Sequence, residues 1–331
     1  MIRSPIFIIG CPRSGTSLLY TLLAETPSLW SIGGESKAII ERYHHPAVKG
    51  WTSGELDAAD VTPLSRAAIP RAFERQAAPG DFWRAVNRGR AQLRANRLWR
   101  ALKQRSQTVR PGATAAYAAP QAGLRLAQAL ARARNRLRPP RQPIHLLEKT
   151  PENCLRLPFL LEIFPDARFI FLTRDAFPNI ASLLEGWRQP HLFPGYAVPE
   201  PVRIPGDRRG RWAFTLIPGW RELLDRPLVE VCARQWVACN EAMLAYQGIS
   251  ARRLLILNVL HEDLLRDPAR ELKRIGEFVG EDSAEFTRQT AFLPEINAVS
   301  RPNREKWRQF SAELDQVADI IEPTRRRLGY A

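Results

Sequence analysis

Pro5-Ile6-Phe7-Ile8-Ile9-Gly10-Cys11-Pro12-Arg13-Ser14-Gly15-Thr16-Ser17, continued by Leu18-Leu19-Tyr20-Thr21-Leu22-Leu23-Ala24, decides the fold. Residues 5–10 are a short apolar run with β-branched side chains that stops at glycine, which reads as a buried parallel strand. Residues 17–24 then space their leucines for a helix. Between them the glycines permit positive φ and let backbone N–H groups turn inward. The helix start adds unpaired donors and partial positive charge. Strand, glycine loop and helix, in that order, make a nest for phosphate or sulfate.

Further along the chain the same alternation continues. Short apolar runs at 29–33, 144–148, 167–173 and 253–258 read as four more strands, with 167–173 the strongest. Helical spacing follows at 154–163, around Ile180 to Leu184, at 228–247 and within 261–279. Residues 190–218, rich in proline, glycine and basic side chains, read as a long loop. The alternation predicts an α/β fold: a P-loop-type central parallel sheet of about five strands, flanked by helices, in one domain over residues 1–331.

Charge marks a separate segment. The chain carries a formal +15, yet residues 81–141 hold 15 basic residues against the single acid Asp81, so this stretch accounts for +14. It predicts a basic helical hairpin, one helix over 82–108 and a second over 122–138, inserted between the second and third strands. Outside it the chain is near neutral, which excludes a uniformly basic, histone-like protein. Hydrophobic residues at 45% and charged residues at 25% provide for an ordinary core. No apolar run approaches about 18 residues, so no transmembrane helix is expected, and the N-terminal run is too short for a signal peptide. Cys11, Cys154, Cys232 and Cys239 form no CxxC pair, and the five histidines form no HxH or HxxxH pattern. Disulfides and a metal site are therefore not expected, and a reducing, cytoplasmic location fits.

The loop departs from the Walker pattern GxxxxGK[ST] at one position: Thr16 stands where the lysine belongs. That lysine would reach the β/γ-phosphates of a nucleoside triphosphate, so a P-loop kinase of a small metabolite becomes the lesser reading. A cation stands inside the loop instead, at Arg13, suited to a leaving phosphate or a transferring anionic group.

Cys11 to Ser17 resembles the 5′-phosphosulfate loop of sulfotransferases that use 3′-phosphoadenosine 5′-phosphosulfate (PAPS). Downstream, Phe169-Ile170-Phe171-Leu172-Thr173-Arg174-Asp175 followed by Ser182 resembles the family's 3′-phosphate segment, in which a guanidinium forks onto phosphate oxygens and a serine hydroxyl donates from the next helix. Gly33-Gly34-Glu35-Ser36-Lys37 resembles the base segment of the bacterial and tyrosylprotein-type branch. Glu148-Lys149-Thr150-Pro151 resembles the segment with a second cation. Ser300-Arg301-Pro302-Asn303 with Lys306-Trp307 resembles the loop closing over the nucleotide, and His261-Glu262-Asp263-Leu264 with Asp267-Pro268 a structural segment after the last strand. The likeness covers residues 5–45 and 144–331; residues 81–141 have no counterpart.

The resemblance implies metal-independent, in-line sulfuryl transfer from PAPS to a hydroxyl or amine, with 3′,5′-ADP as product. Cys11, Pro12, Arg13, Ser14, Gly15, Thr16 and Ser17 would hold the 5′ end, and Arg174, Ser182, Ser300, Arg301 and Lys306 the 3′ end. Arg13 and Lys149 would stabilise the leaving bridge oxygen, and Glu35 would take the acceptor proton. Many cytosolic members have lysine where Arg13 stands; arginine stays protonated, so its role here is electrostatic. Rival readings remain: Glu35 capping the next helix, Lys149 pairing with Glu148 or Glu152, His44 or His45 as base, and Arg301 and Lys306 solvating a terminal helix. The acceptor, a small molecule, lipid, sugar or peptide, stays open. The basic hairpin suits peripheral contact with an anionic membrane; no specific nucleic acid is expected, since it shows no RNA-binding motif with interleaved aromatics beyond Trp83 and Trp99. A non-enzymatic membrane-surface or nucleic-acid binding module is the remaining alternative.

Overall fold

The computed structural model describes residues 1–95, 115–189, 193, 195–203, 210–247, 255–282, 286 and 305–330. In chain order the first half holds β1 (Ile6–Ile9), α1 (Thr16–Leu23), β2 (Leu29–Ser31), α2 (Lys37–His44), α3 (Pro63–Gln76), β3 (Ala78–Pro79), α4 (Gly80–Ala95) and α5 (Ala115–Leu137). Next come β4 (His145–Lys149), α6 (Leu157–Ile163), β5 (Arg168–Thr173), α7 (Ala176–Trp187), α8 (Leu228–Gln247) and β6 (Leu255–Leu260). The last described elements are α9 (His261–Arg266), α10 (Pro268–Val279), α11 (Ser311–Asp315) and α12 (Ala318–Arg327).

Six strands lie side by side in the order β3-β2-β4-β1-β5-β6. The five expected from the sequence run parallel; β1 sits centrally, with Ile6 beside Leu147 of β4 and Arg168 of β5. The sixth, β3, is an antiparallel edge of two residues on β2. Its proline has no ladder N–H to give, which suits an edge strand, and so short a strand leaves no periodic signal.

Both faces of the sheet are covered, which is why its strands read as unbroken apolar runs. Alternate residues go to opposite layers. Ile6, Ile8, Ile170 and Leu172 pack with Leu19 of α1 and Leu272 of α10. Phe7, Ile9, Phe169 and Phe171 pack in the layer that contains Trp187 of α7 and Trp236 of α8.

Three sequence expectations change in detail. The helix read at 154–163 is a 3₁₀ turn over Pro151–Leu155 followed by α6. Pro158 falls in the first turn of α6, where its missing N–H leaves no helical bond broken. The segment 261–279 is two helices, because Pro268 starts a new one and Asp267 caps it by accepting from the Arg270 N–H at 3.1 Å. The described part of loop 190–218 has no regular helix or strand, yet it is core: Tyr196 and Trp212 are buried and bridge by backbone hydrogen bonds.

The described helices of the insertion are docked on the domain. Trp83 of α4 donates its indole N–H to the carbonyls of Ser31 (2.8 Å) and Ala78 (3.1 Å). Asn135 of α5 donates to Ala77 O at 2.7 Å and Glu74 O at 3.0 Å, while Ala127 and Ala131 pack with Trp83. The first helix, expected over 82–108, is described to Ala95 and the remainder lies outside the described residues. The second starts earlier than its leucine spacing predicts, at Ala115, and runs on through Pro120.

Candidate active site

The carboxyl ends of β1, β2, β4, β5 and β6 lead into the segments that hold Arg13, Glu35, Lys149, Arg174 and His261. Ligands of open α/β sheets bind at this end. After β1, Gly10 turns at φ 152°, Arg13 at 72° and Gly15 at 108°. A Cβ on Gly10 would lie 2.3 Å from Leu172 O, and one on Gly15 would lie 2.4 Å from His261 Nδ1. Only glycine fits these two points. Arg13 adopts the left-handed region without being glycine, at a cost on the order of 1–3 kcal/mol that the surrounding contacts must offset.

Those contacts tie the loop to the segment after β5. Arg13 Nε donates to Ser182 Oγ at 3.1 Å, and the Arg13 guanidinium lies 4.8 Å from the Phe193 ring centre. Arg174 Nη1 donates to Arg13 O at 3.2 Å. Two part-buried guanidinium groups therefore face one region. Burial, then the neighbouring Arg174, pulls Arg13 down to about 10, so it stays charged at neutral pH. Burial also lowers Arg174, opposed chiefly by Glu262. Such like-charge crowding is relieved when a phosphate accepts from both forks.

Open polar groups point the same way. Among the described residues, Ser14 Oγ, Arg174 Nε and His261 Nδ1 are buried and lack a hydrogen-bond partner. Gly15 caps α1 without a side-chain acceptor, and the first N–H groups of a helix have no partner within it. The set thus fits an anionic, phosphate-bearing ligand. His261 is pushed down to about 3, by burial first and Arg174 second, so a neutral imidazole walls the loop.

Around the second pair of predicted residues, Lys149 Nζ lies 2.6 Å from Glu35 Oε1, with the lysine side chain 8% exposed and the glutamate 44%. Lys149 therefore pairs with neither Glu148 nor Glu152. Glu148 is fully buried and accepts from Ser36 N (3.2 Å), Thr150 Oγ1 (2.5 Å) and Asn153 Nδ2 (3.1 Å). Burial raises the Glu148 carboxyl, and these hydrogen bonds oppose that shift. The Ser36 N–H, at the start of α2, is thus satisfied by Glu148 and Thr150, which leaves Glu35 out of the capping role. Glu152 takes Lys37 at 3.1 Å, and Glu41 lies between Arg156 (3.0 Å) and Tyr196 Oη (2.6 Å), fixing α2 along its length.

Several predicted residues sit differently from their expected roles. Cys11 points into the core, where burial pushes its thiol up, so only its backbone borders the loop. Ser14 N donates to Cys11 O at 3.1 Å, so that amide closes the turn rather than facing a ligand. His44 packs edge-on against Phe159 and His45 caps the following turn, about 13 Å along α2 from Glu35. Lys306 pairs with Glu185 of α7 at 2.5 Å, beside the stacked Trp307 and Phe177 rings. Ser300 and Arg301 lie outside the described residues. Asn179, which sequence reasoning missed, donates to Pro12 O at 3.0 Å and braces the loop. Glu262 accepts from Asp175 N (3.1 Å) and Tyr330 Oη (3.0 Å), which gives the segment after β6 a structural role.

With this geometry in view, a model of the sulfotransferase family matches residues 5–193, more than half of the chain. The chain belongs to the sulfotransferase family. The family's chemistry is sulfuryl transfer, so the chain is a transferase. Among solved structures, sulfotransferase STF9 from Mycobacterium avium is 20% identical over 96% of this chain and 77% of that one, with a TM-score of 0.42. A sulfotransferase from Alicyclobacillus acidocaldarius is 13% identical over 98% and 96%, with a TM-score of 0.41. The mouse sulfotransferase SULT7A1, complexed with PAP, is 12% identical over 99% and 89%, with a TM-score of 0.39. No curated protein matches the chain in sequence. Among the described residues, no helix is long and apolar enough to cross a membrane and no group of three His, Cys, Asp or Glu is placed to hold a metal ion.

Proposed function

We propose that this sulfotransferase, a single domain over residues 1–331 with the insertion at 81–141, uses PAPS and transfers to a hydroxyl or amine without a metal. The observation that carries the reading is the crowding of Arg13 and Arg174 over the loop that starts α1, within one hydrogen bond of Ser182. When bound, PAPS supplies the sulfuryl group, which moves in line to the acceptor as 3′,5′-ADP leaves. Backbone N–H groups of Gly15, Thr16 and Ser17 hold the 5′-phosphate. Arg174 holds the 3′-phosphate with Ser182, whose hydroxyl accepts from Arg13 and still has a proton to donate. Ser300, Arg301 and Lys306 complete this 3′ side.

Arg13 and Lys149 stabilise negative charge on the bridge oxygen. Glu35 removes the acceptor proton, with Lys149 holding its carboxylate in place and its partial exposure giving access to the acceptor. We assign the acceptor to the small-molecule, lipid, sugar or peptide alcohols and amines. The enzyme works in the cytoplasm, with residues 81–141 in contact with an anionic membrane. Titration calorimetry separates this reading from a kinase: 3′,5′-ADP binds without metal and ATP–Mg²⁺ binds at least about tenfold more weakly, a gap of about 1.4 kcal/mol. Tighter binding of ATP–Mg²⁺ would overturn it.

A further inference from the structure

The outer face of α5 carries a pattern that the catalytic site does not use. Leu126, Leu130, Ala133 and Leu137 follow at intervals of four, three and four, which aligns them in one stripe along the helix. Leu126, Leu130 and Leu137 are 62%, 54% and 83% exposed. Helical spacing sets Arg125, Arg132 and Arg136 along one margin of the stripe and Arg138 beside the other, while Arg134 turns inward, its guanidinium 5.0 Å from the Trp30 ring centre. A depression lined by Ala129, Arg132 and Arg136 together with the stripe's own Ala133 and Leu137 runs along the first margin.

The opposite face of the same helix is committed to the protein. Ala127 and Ala131 are buried, Asn135 binds the carbonyl of Ala77, and Gln128 donates to Ile32 O at 3.1 Å. The stripe lies on the face of α5 turned away from these contacts. Three exposed leucines bordered by arginines, in a segment with 15 basic residues and one acid, have the composition of a helix that lies in a membrane interface. A second copy of the chain would bring the same positive face and be repelled.

We propose that the outer face of α5 seats on an anionic lipid surface, its leucines entering the headgroup boundary and its flanking arginines meeting lipid phosphates. This narrows the membrane contact of residues 81–141 to one helix face, and it rests on that reading. Through Gln128 the same helix also fixes the connection that runs from β2 to Glu35.

Sedimentation of the full chain with phosphatidylcholine vesicles, with and without phosphatidylserine and at low and high salt, tests the proposal. The wild type is expected to pellet with phosphatidylserine vesicles at low salt and to be released by high salt. Substituting Arg125→Gln, Arg132→Gln and Arg136→Gln together is expected to weaken partition on the order of a hundredfold. Substituting Leu126→Ser, Leu130→Ser and Leu137→Ser is expected to weaken the low-salt partition about tenfold or more. Thermal unfolding and 3′,5′-ADP affinity in solution should be unchanged in both. Should the triple leucine variant fold poorly, Leu137→Ser alone, at the most exposed position, should still cut partition severalfold.

Vesicle binding that the α5 variants leave unaltered would overturn the helix assignment while keeping the membrane reading. A wild type that stays in the supernatant would overturn both. A dimer dissociated by the leucine substitutions, with no vesicle binding, would assign the face to a second copy. The nucleotide titration is read separately, so a failure of the PAPS reading is distinct from any of these.

Discussion

Replacing Gly15 by alanine probes the loop where it is tightest. Gly15 stands at φ 108°, a conformation that costs an L-residue on the order of 1–2 kcal/mol. The new Cβ would lie 2.4 Å from His261 Nδ1 and 2.9 Å from Cε1, closer than such atoms pack. The buried ring must move, and overpacking of this kind costs about 1–3 kcal/mol. Together these give about 2–5 kcal/mol at the point where the 5′-phosphate is proposed to bind. Whatever part of that cost the free protein escapes by displacing the loop is repaid on binding, so at about 1.4 kcal/mol per tenfold the affinity for 3′,5′-ADP should fall by up to about a hundredfold and the rest should show as lost stability. Adding His261→Ala removes the collision and leaves the backbone strain, so the double variant should regain roughly tenfold. Titration calorimetry reads both effects and thermal unfolding reports the stability share. Wild-type affinity in Gly15→Ala would refute the loop as a phosphate cradle. A double variant no better than the single would refute His261 as its wall.

Other perturbations separate the remaining roles. Glu35→Gln should lower turnover by roughly 10²–10⁴-fold and leave 3′,5′-ADP affinity intact; a loss of nucleotide binding instead would make Glu35 structural. Arg174→Ala should weaken 3′,5′-ADP about tenfold or more beyond its effect on 5′-AMP, since charge-assisted hydrogen bonds contribute about 1.5–3 kcal/mol, and equal losses on both would remove it from the 3′ site. His261, held near 3 in the fold, has an unfolded value near 6.5, so its contribution to stability is full above about pH 6.5 and is lost as pH falls toward 3. At pH 5 the wild type should have lost about 2 kcal/mol through this group, a loss absent from His261→Gln; denaturation curves of parallel pH dependence would contradict the assignment.

How far the molecule could be read from its sequence depended on the range of each interaction. β1 and β5 were legible because burial on both faces makes their residues apolar without a break. The glycine loop was legible because Gly10 and Gly15 stand where only glycine fits. β3 was not, since two residues carry no period, and its edge position shows only in three dimensions. The Lys149–Glu35 pair joins residues 114 apart, and nothing local marks either as the other's partner. Glu148 stood out in the sequence only as a partner for Lys149, although its carboxylate accepts the hydrogen bonds that organise the start of α2. The basic insertion stood out by charge, but its docking did not, because Trp83 and Gln128 donate to backbone carbonyls that every residue possesses. His261 emerged as the wall of the loop only once β6 lay beside β5.

The most direct test of PAPS-dependent transfer is an assay with sulfur-labelled PAPS against lipid, sugar, peptide and phenol acceptors, run without added metal, for the wild type and Arg13→Ala. The account predicts label on one acceptor class, released with an equal amount of 3′,5′-ADP, and a loss on the order of 10²-fold or more in Arg13→Ala. Near-normal turnover in Arg13→Ala would contradict the charge-stabilising role of Arg13. Label that stays on the nucleotide with every acceptor, in a protein that consumes ATP–Mg²⁺ instead, would contradict the account as a whole.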